Sequence, residues 1–292
     1  MGIYSGFSYH IAPRALNLGR EFSPAILFAD SVRHVINGHV DADRYYRIST
    51  TSPVRALRES SLEQRMRELF TIDLNPLIAM TRQLDSELLF FKAWNTWQKY
   101  TRLAVSTIIR GHSNESFVIE WEKVSYEFDP PAARDAALCA FDILTGAARG
   151  KRGGKHEGSG KPGRRLSHIA FTLGIRDSAV GETVLCLEEK RGLNVAGLCQ
   201  SLGCHPRTLE RHLKAAGLTA LDLKMACAII SATNMLWGEQ SLTEIAYESG
   251  FSDQAHMTRA FRNACGLPPS VLRSLATSSG QNQVHLNPSS NP

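Results

Sequence analysis

Two short stretches in the last third of the chain carry side chains that can form hydrogen bonds with the edges of DNA bases. Arginine can bond bidentately to guanine, glutamate can accept a hydrogen bond from cytosine, and glutamine can pair with adenine. The residues expected to face bases are Arg207, Glu210 and Arg211 in the first stretch and Gln254, Ala255, Thr258 and Arg259 in the second. Lys214 and Arg262 lie farther along and are expected to contact phosphates, which position a protein without specifying sequence. The alternative interpretation is that these are solvated charges that pair along a helix.

The second stretch lies in a predicted pair of helices joined by a tight turn. A capping box at residues 241–244 opens the first helix, which stops at Gly250, and Phe251 fills the turn. Ser252 is expected to cap the next helix, which runs from Asp253 to about Cys265. Two helices joined by a short turn containing glycine are typical of a helix-turn-helix unit. The residues expected to form its core are Leu242, Ile245, Ala246, Met257, Ala260 and Phe261.

The first stretch repeats this plan earlier in the chain. The predicted supporting helix covers Val195 to Leu202, the turn covers 203–205, and the recognition helix covers Pro206 to Ala216 before Gly217. The recognition helix is the one that enters the major groove in such units. The residues expected to form this core are Leu198, Cys199, Leu202, Leu209 and Leu213.

A long helix is predicted between the two units, from Leu221 to Trp237. Apolar residues recur there at steps of three and four, which predicts one amphipathic helix of about 25 Å. Such a connector could hold two recognition helices about one DNA turn apart, ~34 Å. Its apolar stripe is expected to consist of Leu221, Met225, Ile229, Ala232 and Leu236.

Residues 192–273 resemble the AraC/XylS family of transcription regulators. The resemblance is strongest at Ile245-Ala246, at residues 250–262, which read GFSDQAHMTRAFR, and at residues 266–269, which read GLPP, followed by Arg273. The first unit matches more loosely, through residues 202–211. The chain departs from the family pattern at three positions. His205 stands where the family usually has serine or threonine, Met257 where it has phenylalanine, and Ala228 where arginine is common.

The resemblance implies a regulator, more often an activator, that binds double-stranded DNA and acts together with RNA polymerase. It also suggests that the N-terminal half senses a small-molecule effector, forms a homodimer, or both. Relatives often carry a β-rich, cupin-like effector domain. The N-terminal half of this chain does not fit that pattern, so the usual effector is not carried over.

The N-terminal region, residues 1–148, is expected to be an α+β domain ahead of an all-α C-terminal domain. Helical spacing covers Ser61 to Phe70 and Leu77 to Tyr100, and a helix capped by Asp129 should run to Ala148. Residues 103–110 and 116–124 are β-rich and flank a turn-like segment, which predicts a hairpin. Four aromatic residues are expected in the core, or alternatively around an effector pocket, namely Trp94, Trp97, Tyr100 and Trp121.

Charge and composition predict the remaining organisation. Residues 149–165 contain seven basic residues and one acid, a sum of +6 against +5 for the whole chain, and are rich in glycine. This segment is expected to be a flexible linker that either adds non-specific DNA affinity or acts only as a tether. Residues 166–190 are a connecting segment, residues 191–276 the double helix-turn-helix domain, and residues 277–292 a polar, disordered tail.

Several classes of function and site find no support in the sequence. The six cysteines lack zinc-site spacing and are expected to be reduced thiols of a cytoplasmic protein. No signal peptide, membrane span, cofactor motif or metal site is predicted. An enzyme fused to a DNA-binding domain, with a cysteine that accepts alkyl groups, would need an activated thiolate, and Cys139 has no clustered partners. A third possibility is that the recognition helices bind another regulator and not DNA. The arginines at matching positions of the two helices argue against this possibility.

Overall fold

The computed structural model describes residues 7–9, 15, 23–41, 59–84, 86–100, 105–111, 117–123, 131–149 and 164–277. The predicted linker, apart from Arg149, Arg164 and Arg165, and the predicted tail beyond Thr277 lie outside these residues, as does the expected cap Asp129. The elements of the N-terminal region are β1 (Phe7–Tyr9), α1 (Pro24–Ile36), β2 (His39–Asp41), α2 (Glu59–Ile72), α3 (Pro76–Thr81), α4 (Glu87–Tyr100), β3 (Val105–Gly111), β4 (Phe117–Lys123) and α5 (Pro131–Arg149).

The predicted α+β class of the N-terminal region is wrong, because helices organise this region. In the described residues the strands form only two separate two-stranded antiparallel ladders, β1 with β2 and β3 with β4. In the second ladder Ile109 lies opposite Ile119. An isolated pair of strands is not a layer on which helices can pack a core. The alternating residues at 117–122 indicate local strand pairing, which does not by itself define a fold class.

The single predicted helix from Leu77 to Tyr100 is two helices. Asn75 caps α3 by accepting a hydrogen bond from Leu77 N at 3.0 Å, with Pro76 in the first turn. The chain leaves the helix after Thr81, and α4 begins at Glu87. Helix α4 then contributes Phe90 and Trp97 to an aromatic cluster in which Phe141 of α5 stacks edge-on against Phe90, with ring centroids 5.5 Å apart.

The C-terminal part is all-helical in the described residues, as predicted. It consists of α6 (Leu166–Thr172), α7 (Ala179–Glu189), α8 (Val195–Ser201), α9 (Pro206–Ala215), α10 (Ala220–Met235), α11 (Leu242–Glu248), α12 (Gln254–Cys265) and α13 (Pro269–Thr277). Glycines in the left-handed region end several of these helices, including Gly217 after α9, Gly250 after α11 and Gly266 after α12.

Helix α10 is the connector between the two units, and its buried surface differs from the predicted stripe. Thr219 and Asp222 form a capping box, and sixteen residues give a helix of about 24 Å. Leu221 is 69% exposed, so its place in the stripe is wrong. The residues buried along the helix are Leu223, Ala226, Ile229, Ile230, Ala232 and Thr233. They cover more than one face because α1, α3, α7, α11 and α12 all pack around α10.

The N-terminal helices pack directly on the C-terminal helices. Helix α1 contacts α10 and α12, α3 contacts α10, α12 and α13, and α4 contacts α13. Phe28 and Val32 of α1 and Ile78 of α3 are almost completely buried and belong to the same hydrophobic cluster as the helix-turn-helix core. The described parts of the two halves therefore share one core.

None of the described helices is by itself long and apolar enough to cross a membrane. Helices α9 and α10 satisfy that criterion of length and composition only as a pair, and they are bent by 74° at the break between them.

Candidate nucleic-acid interface

The first helix-turn-helix unit consists of α8 and α9. Asn194 caps α8 by accepting a hydrogen bond from Gly197 N at 2.8 Å, and Gly203 turns the chain with φ 61°. His205 stands where serine or threonine is usual, yet its Nδ1 atom accepts a hydrogen bond from Arg207 N at 3.3 Å. Helix α9 therefore has a side-chain cap and begins at Pro206, as predicted.

The exposed face of α9 carries all four residues predicted for this unit. Leu209 and Leu213 are buried on the opposite face, where α9 packs against α7. Three basic residues and one acid give this face a net charge of +2, with exposed side chains at Arg207, Glu210, Arg211 and Lys214. The face therefore offers guanidinium donors beside one carboxylate acceptor.

The second unit consists of α11 and α12. Ser241 and Glu244 form the predicted capping box, with Glu244 N donating to Ser241 Oγ at 3.2 Å and Ser241 N donating to Glu244 Oε2 at 2.8 Å. Phe251 in the turn is buried, as predicted. The cap of α12 is Asp253 and not Ser252, because Asp253 Oδ1 accepts a hydrogen bond from His256 N at 2.6 Å.

The exposed face of α12 carries Gln254, Ala255, Arg259 and Arg262, while Thr258 is half-buried. Its two arginines give the helix a charge of +2, since α12 contains no acid. Gln254 is oriented by Thr243 of α11, whose Oγ1 donates to Gln254 Oε1 at 3.0 Å. Thr258 Oγ1 donates to Gln254 O at 2.9 Å, so its hydroxyl proton is used within the helix. Sequence reasoning missed the contribution of Thr243, because its partner lies eleven residues away in another helix.

The carboxylates that cap the second unit are stabilised in their charged form. The pKa of Asp253 is lowered, first by the hydrogen bond from the His256 backbone and then by that from the Ser252 side chain, with a smaller effect of Arg259. The pKa of Glu244 is lowered by its bonds with the side chain and backbone of Ser241. Both caps are therefore ionised at neutral pH.

Among the described residues, the basic side chains on the two faces are not neutralised by ion pairs. Within residues 164–277, carboxylates form no ion pair with Arg207, Arg211, Lys214, Arg259 or Arg262. The helical pairing that the alternative interpretation requires is thus not formed in this part of the chain. Unpaired, exposed cations remain available to phosphates or base edges.

Both recognition helices are held at their C-terminal ends by residues of the N-terminal half. Arg33 of α1 donates a hydrogen bond to Gly217 O, just after α9. Gly38 N donates to Ala264 O at 2.9 Å, and Asn75 Nδ2 donates to the same oxygen at 2.7 Å. Trp97 Nε1 donates to Cys265 O at 3.2 Å. These four residues are called the helix-end contacts below. At α12 they satisfy carbonyl groups of the last turn, which a helix leaves without partners, whereas at α9 Arg33 bonds to the carbonyl of Gly217, which follows the helix. No sequence pattern predicts these contacts, because the paired residues are more than 160 positions apart.

The aromatic residues predicted for the core or an effector pocket have different environments. Trp97 is buried, Trp94 is half-buried against it with ring centroids 5.4 Å apart, and Tyr100 is exposed. The side chain of Trp121 lies outside the described residues. The core interpretation therefore holds for the two tryptophans of α4 and fails for Tyr100.

Cys139 does not have the character of an activated nucleophile. Burial, followed by the negative charges of the nearby Glu63 and Asp142, raises the pKa of its thiol to about 11. A thiol in that environment is protonated at neutral pH, whereas an alkyl-accepting cysteine needs a thiolate. In the described residues, His, Cys, Asp and Glu side chains do not come together in groups of three or more that could hold a metal ion.

Comparison with known proteins agrees with this geometry. Residues 198–274 match the family model of a helix-turn-helix domain, and the domain is of the AraC type. Residues 198–274 of this chain therefore form a helix-turn-helix domain of the AraC type. No curated protein matches the chain.

Solved structures give only distant matches. The chain is similar to ToxT from Vibrio cholerae strain SCE256 with an unsaturated fatty acid bound, at 18% identity and a TM-score of 0.33, over 40% of this chain and 45% of that one. It is also similar to ToxT from Vibrio cholerae O395, at 17% identity and a TM-score of 0.33, over 55% and 61%. A third similar structure is the transcriptional regulator CdpR from Pseudomonas aeruginosa, at 14% identity and a TM-score of 0.28, over 92% of this chain and 99% of that one. The match spans less than two thirds of either ToxT chain.

Proposed function

We propose that this protein is a sequence-specific transcription regulator that reads two successive major-groove segments of double-stranded DNA. The observation that carries the proposal is the pair of helix-turn-helix units, each with an exposed, positively charged recognition face. A protein of this kind acts where the chromosome is accessible, which we expect to be the cytoplasm. Activation, through contact with RNA polymerase, is the mode suggested by the family resemblance.

On each recognition face, residues near the start of the helix are proposed to contact bases, and one residue farther along is proposed to contact a phosphate. Near the helix starts, Arg207, Glu210 and Arg211 contact bases in one groove segment, and Gln254, Ala255, Thr258 and Arg259 contact bases in the next. Lys214 and Arg262 contact phosphates. Thr243 is a positioning residue, since its hydroxyl holds the carbonyl end of the Gln254 side chain and leaves the amide NH₂ free to donate.

The N-terminal half is proposed to set the activity of the DNA-binding half. Supporting this, the helix-end contacts reach both recognition helices from α1, α3 and α4. A small-molecule effector or a second copy of the chain that shifts α1 would therefore shift both recognition helices together. Coupling of this type requires a second arrangement of the interface between the two halves, in which α1 has moved relative to α10 and α12.

The test is recovery of a DNA sequence. Purified full-length protein is incubated with fragmented genomic DNA, and the retained fragments are sequenced. The proposal expects one site containing two short motifs about one helical turn apart, and a promoter carrying it should respond in a reporter strain when the protein is present. Retention of DNA with no common motif would contradict sequence-specific function and leave only electrostatic binding.

Oligomeric state is tested separately by sedimentation velocity of the full chain with and without the recovered site. A homodimeric regulator is expected to show a dimer in at least one of the two conditions. A monomer in both would overturn the homodimer proposal and leave the proposed DNA reading by one chain untouched.

A further inference from the structure

A cavity of about 250 Å³ lies where the connector helix meets the turn of the second helix-turn-helix unit. One wall is a face of α10 between Lys224 and Met235. A second is the end of α7 with the loop at 191–192, and a third is the turn at Ser249–Gly250. The cavity thus touches the connector, the segment that leads into the first unit, and the second unit.

The cavity is positively charged. Arg165, Arg191 and Lys224 line it against one acid, Glu188, which leaves a net charge of +2. The Glu188 carboxylate is already engaged, because it accepts hydrogen bonds from Ser167 N at 3.2 Å and Ser167 Oγ at 2.6 Å. Among the described residues, Arg165 and Lys224 have no ion-pair partner.

A buried hydroxyl of the same cavity has no hydrogen-bond partner in the part of the chain that the structure describes. Ser231 lines the wall on α10, and its Oγ is buried without a donor or acceptor in contact. A serine in a helix commonly bonds to the carbonyl four residues back, and leaving a buried hydroxyl unpaired is costly. Beside it, burial raises the pKa of the Cys227 thiol, so this part of the wall stays uncharged. Rotation of the Ser231 side chain towards the cavity would let a ligand oxygen satisfy the hydroxyl.

We propose that the cavity binds a small phosphate ester, with its phosphate among Arg165, Arg191 and Lys224. The carbon part of the ester would lie against the apolar side chains that line the cavity, namely Leu187, Ala228, Ile230 and Met235. A phosphate ester carries a charge of about −1.5 to −2 at neutral pH, which matches the net charge of the site. Guanidinium groups bind phosphate oxygens bidentately, and the ammonium group adds a point charge. The volume equals that of about eight water molecules at ~30 Å³ each, which is enough room for a small molecule.

The position of the site couples it to both units. Arg191 donates a hydrogen bond to Glu248 O at 3.3 Å, across the boundary between the first unit and α11. A Cβ atom at Gly250 would lie 3.7 Å from Gly192 N, so the two backbones are nearly in contact there. A phosphate that engages Arg191 and Lys224 changes the forces across this boundary and hence the relative position of the recognition helices. This regulatory step rests on the proposed function, whereas ligand binding does not.

Binding is tested by calorimetric titration of the full-length protein with phenyl phosphate, with phenol and inorganic phosphate as separate probes. Phenyl phosphate is expected to bind more tightly than either probe. The Lys224→Gln variant should weaken that binding at least tenfold, and Ser231→Ala should weaken it several-fold. Lys190→Gln is the matched control, because Lys190 is near the cavity but does not line it, and it should bind as the wild type does.

Three results would overturn the site. They are no binding of phenyl phosphate, equal weakening by Lys190→Gln and Lys224→Gln, or loss of DNA affinity in Lys224→Gln with no ligand effect. The last result would mean that these cations contact DNA.

The regulatory step is tested on the DNA site recovered with the wild-type protein. Phenyl phosphate should change the affinity for that site at least threefold in the wild type and leave it unchanged in Lys224→Gln. Phenyl phosphate that binds without changing DNA affinity would overturn the coupling alone. Failure to recover any specific site would contradict the proposed function, and the calorimetric result would still decide the phosphate site.

Discussion

Replacing Asn75 with alanine should destabilise the protein by about 3 kcal/mol, because this side chain makes three hydrogen bonds in a fully buried position. Its Nδ2 donates to His34 O at 2.8 Å and to Ala264 O at 2.7 Å, and its Oδ1 accepts from Leu77 N at 3.0 Å. Loss of the α3 cap costs about 1 kcal/mol. Removing the donors from two buried carbonyls costs about 1–3 kcal/mol in total, since Ala264 O keeps its bond from Gly38.

The variant Asn75→Asp separates the contribution of the α3 cap from that of the hydrogen bonds to His34 O and Ala264 O. Aspartate caps helices as well as asparagine does, so a residue that only capped α3 would tolerate the change. In this site the carboxylate would instead face two carbonyl oxygens and lose both donors, and we expect a loss at least as large as that of alanine. Both variants are measured by urea unfolding, with Asn194→Ala, which removes the exposed cap of α8, as a reference near 1 kcal/mol. A neutral Asn75→Asp, or an Asn75→Ala no worse than Asn194→Ala, would refute the role of Asn75 in joining the halves.

Three further predictions concern packing, pH and DNA affinity. Gly38→Ala should destabilise by about 1–3 kcal/mol in urea unfolding, because its Cβ would lie 2.4 Å from a main-chain oxygen of α12. The control Gly146→Ala has open space within α5 and should be neutral or stabilising, so equal losses would contradict the close contact. The lowered pKa of Glu244 means that its contribution to stability is complete above the ordinary pKa near 4 and is lost as the pH falls through the lowered value. Thermal unfolding between pH 5 and 2 should therefore depend less on pH in Glu244→Gln, and an unchanged pH dependence would count against this. Lys214→Ala and Arg262→Ala should each lower the salt slope of DNA binding by about 0.9, with equal loss on specific and random DNA. A loss confined to the specific site would reassign them to base contacts.

The C-terminal architecture could be predicted because its signals are local. The Ser241–Glu244 capping box and the left-handed glycines define helix ends within a few residues, and the structure has these features where the sequence places them. The errors there are small ones of boundary or phase. Asp253 replaces the neighbouring Ser252 as cap, and Leu221 points to solvent because the connector is surrounded by helices and not covered on a single face.

The N-terminal half could not be predicted because its stability depends on distant partners. A buried asparagine such as Asn75 carries no sequence signal that its acceptor is Ala264. The period-two alternation at 117–122 correctly predicted a strand that pairs with its neighbour. It carried no information about the elements that surround this pair, and the α+β class inferred from it was wrong. The cavity beside α10 was missed for the same reason, since its cations come from three separate segments.

The central claim is that the two recognition faces read two groove segments, and it is tested most directly by the binding specificity of Arg211→Ala and Arg259→Ala. Each variant is selected against a library in which every position of the recovered site is randomised. Each should lose about 1–3 kcal/mol on the specific site and relax one base position, with the two positions in different motifs about one helical turn apart. Equal losses on specific and random DNA, or relaxation of the same motif by both variants, would contradict two-segment reading.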